Sequence, residues 1–274
     1  MFQRLTAFLS VIFIAVSLTA ATAADRERVA AFVAVTGYDV MLESLGPAAR
    51  SAPALLGLDE NAFGETWKKL SDKVFAPDDL RKEAIDILAA TLSDDLLSHG
   101  AAFYASPLGQ RLVEAENTAH MADNEMQRQE GAELVSRMLA EGSARPALFE
   151  AMRTAIGSED ASLNAWVELQ VRFVTAAVDA GIVTLRVSPA ELRARLEARR
   201  DEMKAELAAN TLASSAWTYR AFSDQDLQAY VNALETDEMK LIYQLLFAVQ
   251  FELQVTRYEE LAGLLAKLYP GEDL

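Results

Sequence analysis

Leu92-Ser-Asp-Asp-Leu-Leu-Ser-His-Gly-Ala-Ala-Phe-Tyr-Ala-Ser-Pro-Leu-Gly-Gln110 holds two helix starts in one short stretch. Ser93 has the side-chain oxygen of an N-cap, and Asp94 and Asp95 suit the positive end of the helix that follows. Ser106 repeats the signal, with Pro107 supplying the fixed φ favoured at a first helical position. Gly109, inside the first turn of the second helix, leaves room for another backbone, and Phe103 and Tyr104 end the first helix as an aromatic seal for the joint. Ser93, Phe103, Tyr104, Ser106, Pro107 and Gly109 therefore read as a structural motif, helix–joint–helix.

The rest of the chain speaks the same language. Apolar residues recur at helical spacing, and alternating strand patterns are nearly absent. The spacing predicts helices near 25–45, 59–75, 77–91, 94–104, 107–140, 145–156, 161–187, 189–209, 211–221, 224–234 and 237–268. Pro77 and Pro189 stand at helix starts, and Ser188-Pro-Ala-Glu191 forms a capping box. Gly46-Pro47, Gly57, Gly142 and Gly157 read as stops or turns. Ile182 to Val187 is β-branched enough for a short strand. The expected fold is all-α, a bundle of about ten helices.

An internal correspondence suggests two related halves. Leu92-Ser-Asp-Asp-Leu-Leu97 returns as Phe222-Ser-Asp-Gln-Asp-Leu227, Ser106 aligns with Thr236, and Leu112 with Ile242. The expected organisation is a segment 1–23 that is removed, a first half 24–157 carrying the motif, and a second, degenerate half 158–274 packed on the first.

Composition narrows location and partners. The chain has 274 residues, 51% hydrophobic and 24% charged, as a folded globular protein does. Its net charge of −16 repels phosphate backbones, so nucleic acid is not expected as a partner. With no cysteine, disulfides and thiolate chemistry are excluded. Arg4, the apolar run from Leu5 to Val16 and Ala21-Thr-Ala23 have the order of a secretory signal, cut before Ala24. That run is shorter than the ~20 residues a membrane span needs, so the expectation is the periplasm, without stable membrane insertion after cleavage.

The segments Leu92–Leu97 and Ala102–Gln110, with the core Tyr-Xaa-Ser-Pro-Xaa-Gly at 104–109, resemble the domain-of-unknown-function family numbered 2059. The resemblance covers roughly 60–125 and implies a small helical domain of exported bacterial proteins. It carries over no catalytic or binding residue.

Chemistry is sparse. Glu116, His120 and Asp123 share a helix face at spacings of four and three, and His99 could approach across a hairpin. The ligand count falls short of a metal site, so no metal and no cofactor are expected. There is no nucleophile elbow and no Gly-rich phosphate loop. The acidic pairs Asp78-Asp79 and Asp94-Asp95 serve helix starts. The expectation is a non-catalytic binding or interaction module with a protein or apolar small-molecule partner, and the alternatives are a carrier of an apolar or lipid-like ligand between helices or an enzyme of unrecognised type. Candidate binding residues are Tyr104, Gln110, Asn117, His120, Asp123 and Asn124. Phe247, Phe251 and Leu253 are expected to be buried, as are Trp67, Trp166 and Trp217, with Asn117, Asp123, Asn124 and Gln127 in solvent.

Overall fold

The computed structural model describes residues 25–59, 61–157, 159–184 and 187–268. The expected signal segment 1–23 and its cut lie outside them. The described residues form thirteen α-helices and one short 3-10 turn, with no strand among them. The all-α reading holds.

The long helix α13 (Asp237–Leu268) is the spine. It packs on α3 (Gly64–Val74), α4 (Pro77–Thr91), α5 (Asp94–Tyr104), α8 (Arg145–Ile156), α9 (Glu159–Asp179) and α12 (Asp224–Leu234). Met239, Ile242, Leu253, Leu261 and Leu265 along it are at most 1% exposed, a row of core contacts at helical spacing. One continuous core joins them to Phe32, Phe75, Leu80, Leu88, Leu112 and Leu227. No single described helix is long and apolar enough to cross a membrane.

The motif at 92–110 folds as its residues require. Ser93 Oγ accepts the Leu96 N–H and begins α5, and Ser106 Oγ accepts the Gly109 N–H at 3.1 Å and begins α6 (Pro107–Met121). A Cβ on Gly109 would lie 2.2 Å from the Phe103 carbonyl oxygen and 2.6 Å from Tyr104 Cα, so only glycine lets α6 turn back so tightly on α5. The second hairpin, α12–α13, is capped in the same way by Ser223 and Thr236. The two hairpins differ in the length of their second helix, 32 residues for α13 and 15 for α6.

Several helices are broken where periodicity had run on. The first predicted helix divides at Gly37, whose φ of +70° sets α1 (Arg26–Val35) and α2 (Tyr38–Ala49) at 70°. Gly46 and Pro47 do not stop α2 but lie inside it. Buried Leu45 and Ala49 hold the last turn, and near a helix end the missing Pro47 N–H costs only one bond. The predicted helix 107–140 divides after Met121. There Asp123 accepts the Met126 N–H at 2.8 Å and starts α7 (Asn124–Ala140). The region 189–221 is α10 (Pro189–Ala198) and α11 (Arg200–Thr218), parted at Arg199. The suggested strand near 182–187 is absent from its described residues, for α9 ends at Asp179 and Gly181 turns the chain with a φ of +71°.

Candidate ligand-binding cavity

Where α2, α6, α8, α11 and α13 converge they leave a cavity of about 570 Å³. Gly37 permits it. Its φ of +70° suits glycine, and a Cβ there would stand 2.3 Å from Asn117 Oδ1 and 2.9 Å from Val113 Cγ1, so the bare backbone eases the approach of the α1–α2 joint to α6.

The floor is a carboxylate held by phenols. Glu116 on α6 accepts hydrogen bonds at one oxygen, Oε1, from Tyr219 at 2.6 Å and Tyr230 at 2.9 Å. Tyr230 Oη also lies 3.1 Å from Tyr243 Oη, and Tyr243 Oη lies 2.6 Å from Tyr104 Oη. The four tyrosines come from four places: the end of α5, the C-cap of α11, the middle of α12 and the first turns of α13. Tyrosines in a core need partners for their hydroxyls, and here Tyr219 and Tyr230 share Glu116 while Tyr104 and Tyr243 bond each other. Phe103 stacks on Tyr230 with centroids 5.8 Å apart and planes 7° apart, and Tyr104 is 3% exposed. The aromatic pair thus seals the joint and also builds the floor. Arg145 fixes Tyr219 from behind, donating to the carbonyls of Tyr219 at 2.8 Å and Phe222 at 3.0 Å. These are orphan carbonyls at and just beyond the negative end of α11.

No Lys or Arg pairs with Glu116 among the described residues. Burial pushes its carboxyl above the usual range, and the two phenol donors work against that shift without cancelling it. The phenols are raised too, first by burial, and for Tyr219, Tyr230 and Tyr243 next by the carboxylate. His120, one turn further along α6, stands at the mouth with its surface open, yet the walls crowd it enough to lower its pKa by desolvation. Around the rest of the cavity the walls are mixed. Met41 and Ala48 on α2, Met152 and Ile156 on α8, and Leu246 and Phe247 on α13 form the apolar part. Thr211, Ser214 and Ser215 on α11 face Asn124 and Gln127 on α7.

Of the candidate binding residues, Tyr104, Asn117, His120 and Asn124 line this cavity. Gln110 does not: it is exposed and donates to the Ala105 carbonyl. Asp123 does not either, because the helix breaks there and its carboxylate is spent on the α7 cap. His99 reaches Thr236 Oγ1 at 3.3 Å instead of Glu116. Among the described residues no three of His, Asp and Glu gather closely enough to hold a metal ion. Leu253 is buried, but Phe251 is half-buried and Phe247 is 45% exposed at the cavity mouth. Gln127, expected in solvent, is buried against α6, and Asn117 is half-buried, whereas Asp123 and Asn124 are exposed. Trp67 and Trp217 are core, whereas Trp166 is 39% exposed on the outer side of α9.

The motif and the α5–α7 segment that carries Tyr104, Glu116 and His120 coincide with a family match. Residues 78–137 match the model of a family described as uncharacterized proteins conserved in bacteria (DUF2059). The matched DUF2059 segment supplies one wall of the cavity, α6 and the start of α7, together with Tyr104. Tyr219, Tyr230 and Tyr243 lie outside it. No curated protein and no solved structure matches the chain.

Sequence reasoning missed Glu116 as the acceptor of a phenol cluster and missed Tyr219, Tyr230 and Tyr243 altogether. A signal existed. Each tyrosine sits on an otherwise apolar helix face, and several phenols in a core demand a shared acceptor.

Proposed function

We propose that this chain is an exported, non-catalytic binding protein that holds one small amphipathic molecule in the cavity, polar end on Glu116 and apolar end against Met41, Met152 and Phe247. The observation that carries this reading is a cavity of about 570 Å³ that sets the Glu116–tyrosine cluster beside apolar side chains of α2, α8 and α13. Binding cavities commonly span roughly 300–1,000 Å³ and combine apolar walls with a few convergent polar groups. A purely apolar cargo fits less well, because it would leave the floor's hydrogen-bonding capacity unmet. Export rests on the Arg4, apolar-core and Ala21-Thr-Ala23 order, with a cut before Ala24.

Native mass spectrometry of the protein recovered from the periplasm tests both parts. The expected result is a chain beginning at Ala24 with a non-covalent adduct of a few hundred daltons, absent from Met152→Trp, which fills the cavity. A chain retaining Met1 in the membrane fraction would overturn export. Absence of any adduct, together with no thermal stabilisation by any member of a panel of small amphiphiles, would overturn the binding reading. A ligand at 100 times its Kd stabilises by about 2.7 kcal/mol, which such a panel detects readily.

A further inference from the structure

The chemistry of the floor specifies the class of ligand, given that the cavity is a binding site. With Glu116 ionised, the protons of the four phenols can be counted. Those of Tyr219 and Tyr230 go to Glu116 Oε1. Between Tyr104 and Tyr243, one donates to the other across 2.6 Å. The phenol that accepts in that pair turns its own proton to Tyr230 Oη, 3.1 Å from Tyr243 and 3.4 Å from Tyr104. Every phenol proton is then consumed inside the cluster, whichever way the pair is oriented. What remains open is acceptor capacity: Glu116 Oε2, which receives no hydrogen bond, and the unused phenol lone pairs. The carboxylate also lacks a cationic partner among the described residues, and it lines the cavity half-buried, so Oε2 is open to a ligand. Tyr219 and Tyr230 point their hydroxyls at the carboxylate, with Tyr243 and Tyr104 bonded in turn behind them.

From this geometry we infer that the polar end of the ligand is a protonated organic amine, which donates to Glu116 Oε2. At this cluster an anion would meet a carboxylate and no free phenol proton, Arg153 on the cavity wall being paired with Glu150, and a neutral alcohol would leave the charge unpaired. The volume admits a drug-sized molecule, so the ligand is a free amine with a short apolar portion and not a membrane aminolipid.

The test compares three eight-carbon probes on the intact mature protein by isothermal titration calorimetry at pH 7.5: octylammonium, octan-1-ol and octanoate. Octylammonium should bind roughly tenfold tighter than octan-1-ol or better, with octanoate weakest. In Glu116→Gln the preference for the amine over the alcohol should vanish while the alcohol still binds. Equal binding of amine and alcohol to the unaltered protein, or a preference for octanoate, would overturn the amine inference and leave the cavity reading standing. Binding of none of the three would remove both. The comparison on the unaltered protein decides the matter even if the variant fails to fold.

Discussion

Glu116 shows how one side chain can set the character of a site against the interest of the fold. Burial raises its pKa, so the folded protein holds that proton to a higher pH than the unfolded chain does. In the window between the two values the folded state binds more protons. Stability therefore falls as pH rises through the window, and the loss is complete above the raised value. Glu116→Gln keeps a carbonyl oxygen that can accept from Tyr219 and Tyr230 but removes the charge. The variant should melt higher than the parent at neutral pH. The difference should close as pH drops below the ordinary glutamate value. Melting curves at pH 4 and pH 8 check this, and a variant less stable at pH 8 would mean the carboxylate is not penalised.

The α5–α6 hairpin is made by its caps and by a close approach. Ser106→Ala with Pro107→Ala removes the bond to the Gly109 N–H and frees the unfolded chain, and should cost about 1–2 kcal/mol in thermal unfolding. Ligand affinity should survive, because neither residue faces the cavity. An unchanged midpoint with lost affinity would make the motif part of the site instead. The break between α6 and α7 was harder to foresee. Helical spacing runs through residues 116–130 without interruption, and only the hydrogen bond from Met126 to Asp123 shows that a second helix has been started. Capping residues mid-pattern are ambiguous, since Asp and Asn also sit in solvated helix faces. The same ambiguity put Asn117 and Gln127 in solvent, when Gln127 in fact turns inward and Asn117 is half-buried.

Across the molecule, α7 closes the cavity by lying on α11, and the contact depends on Gly131. A Cβ there would stand 2.2 Å from the Ala213 carbonyl oxygen and 2.7 Å from its carbonyl carbon, both backbone atoms that cannot step aside. Gly131→Ala should therefore cost roughly 1–3 kcal/mol through overpacking and push α7 away from α11. Hydrogen exchange should then quicken over residues 124–140 and ligand affinity should fall. If exchange stays protected and the midpoint does not move, α7 is not held by this contact.

The local code was sufficient for the fold class, the hairpin at 92–110 and the starts of α4, α5, α6, α10, α12 and α13, because a cap or a helical proline acts through hydrogen bonds within a few residues of itself. The cavity needed more. Glu116 and Tyr104 stand on neighbouring helices, but Tyr219, Tyr230 and Tyr243 reach them from more than a hundred residues away, and nothing in local spacing records which helix faces meet. Phe247 was expected inside and lies at the mouth, and Gln127 was expected outside and lies buried, for the same reason. Periodicity gives a helix its apolar face, but the packing of α2, α7, α8 and α11 around α6 and α13 chooses which polar groups that face must enclose and where the enclosure stays open.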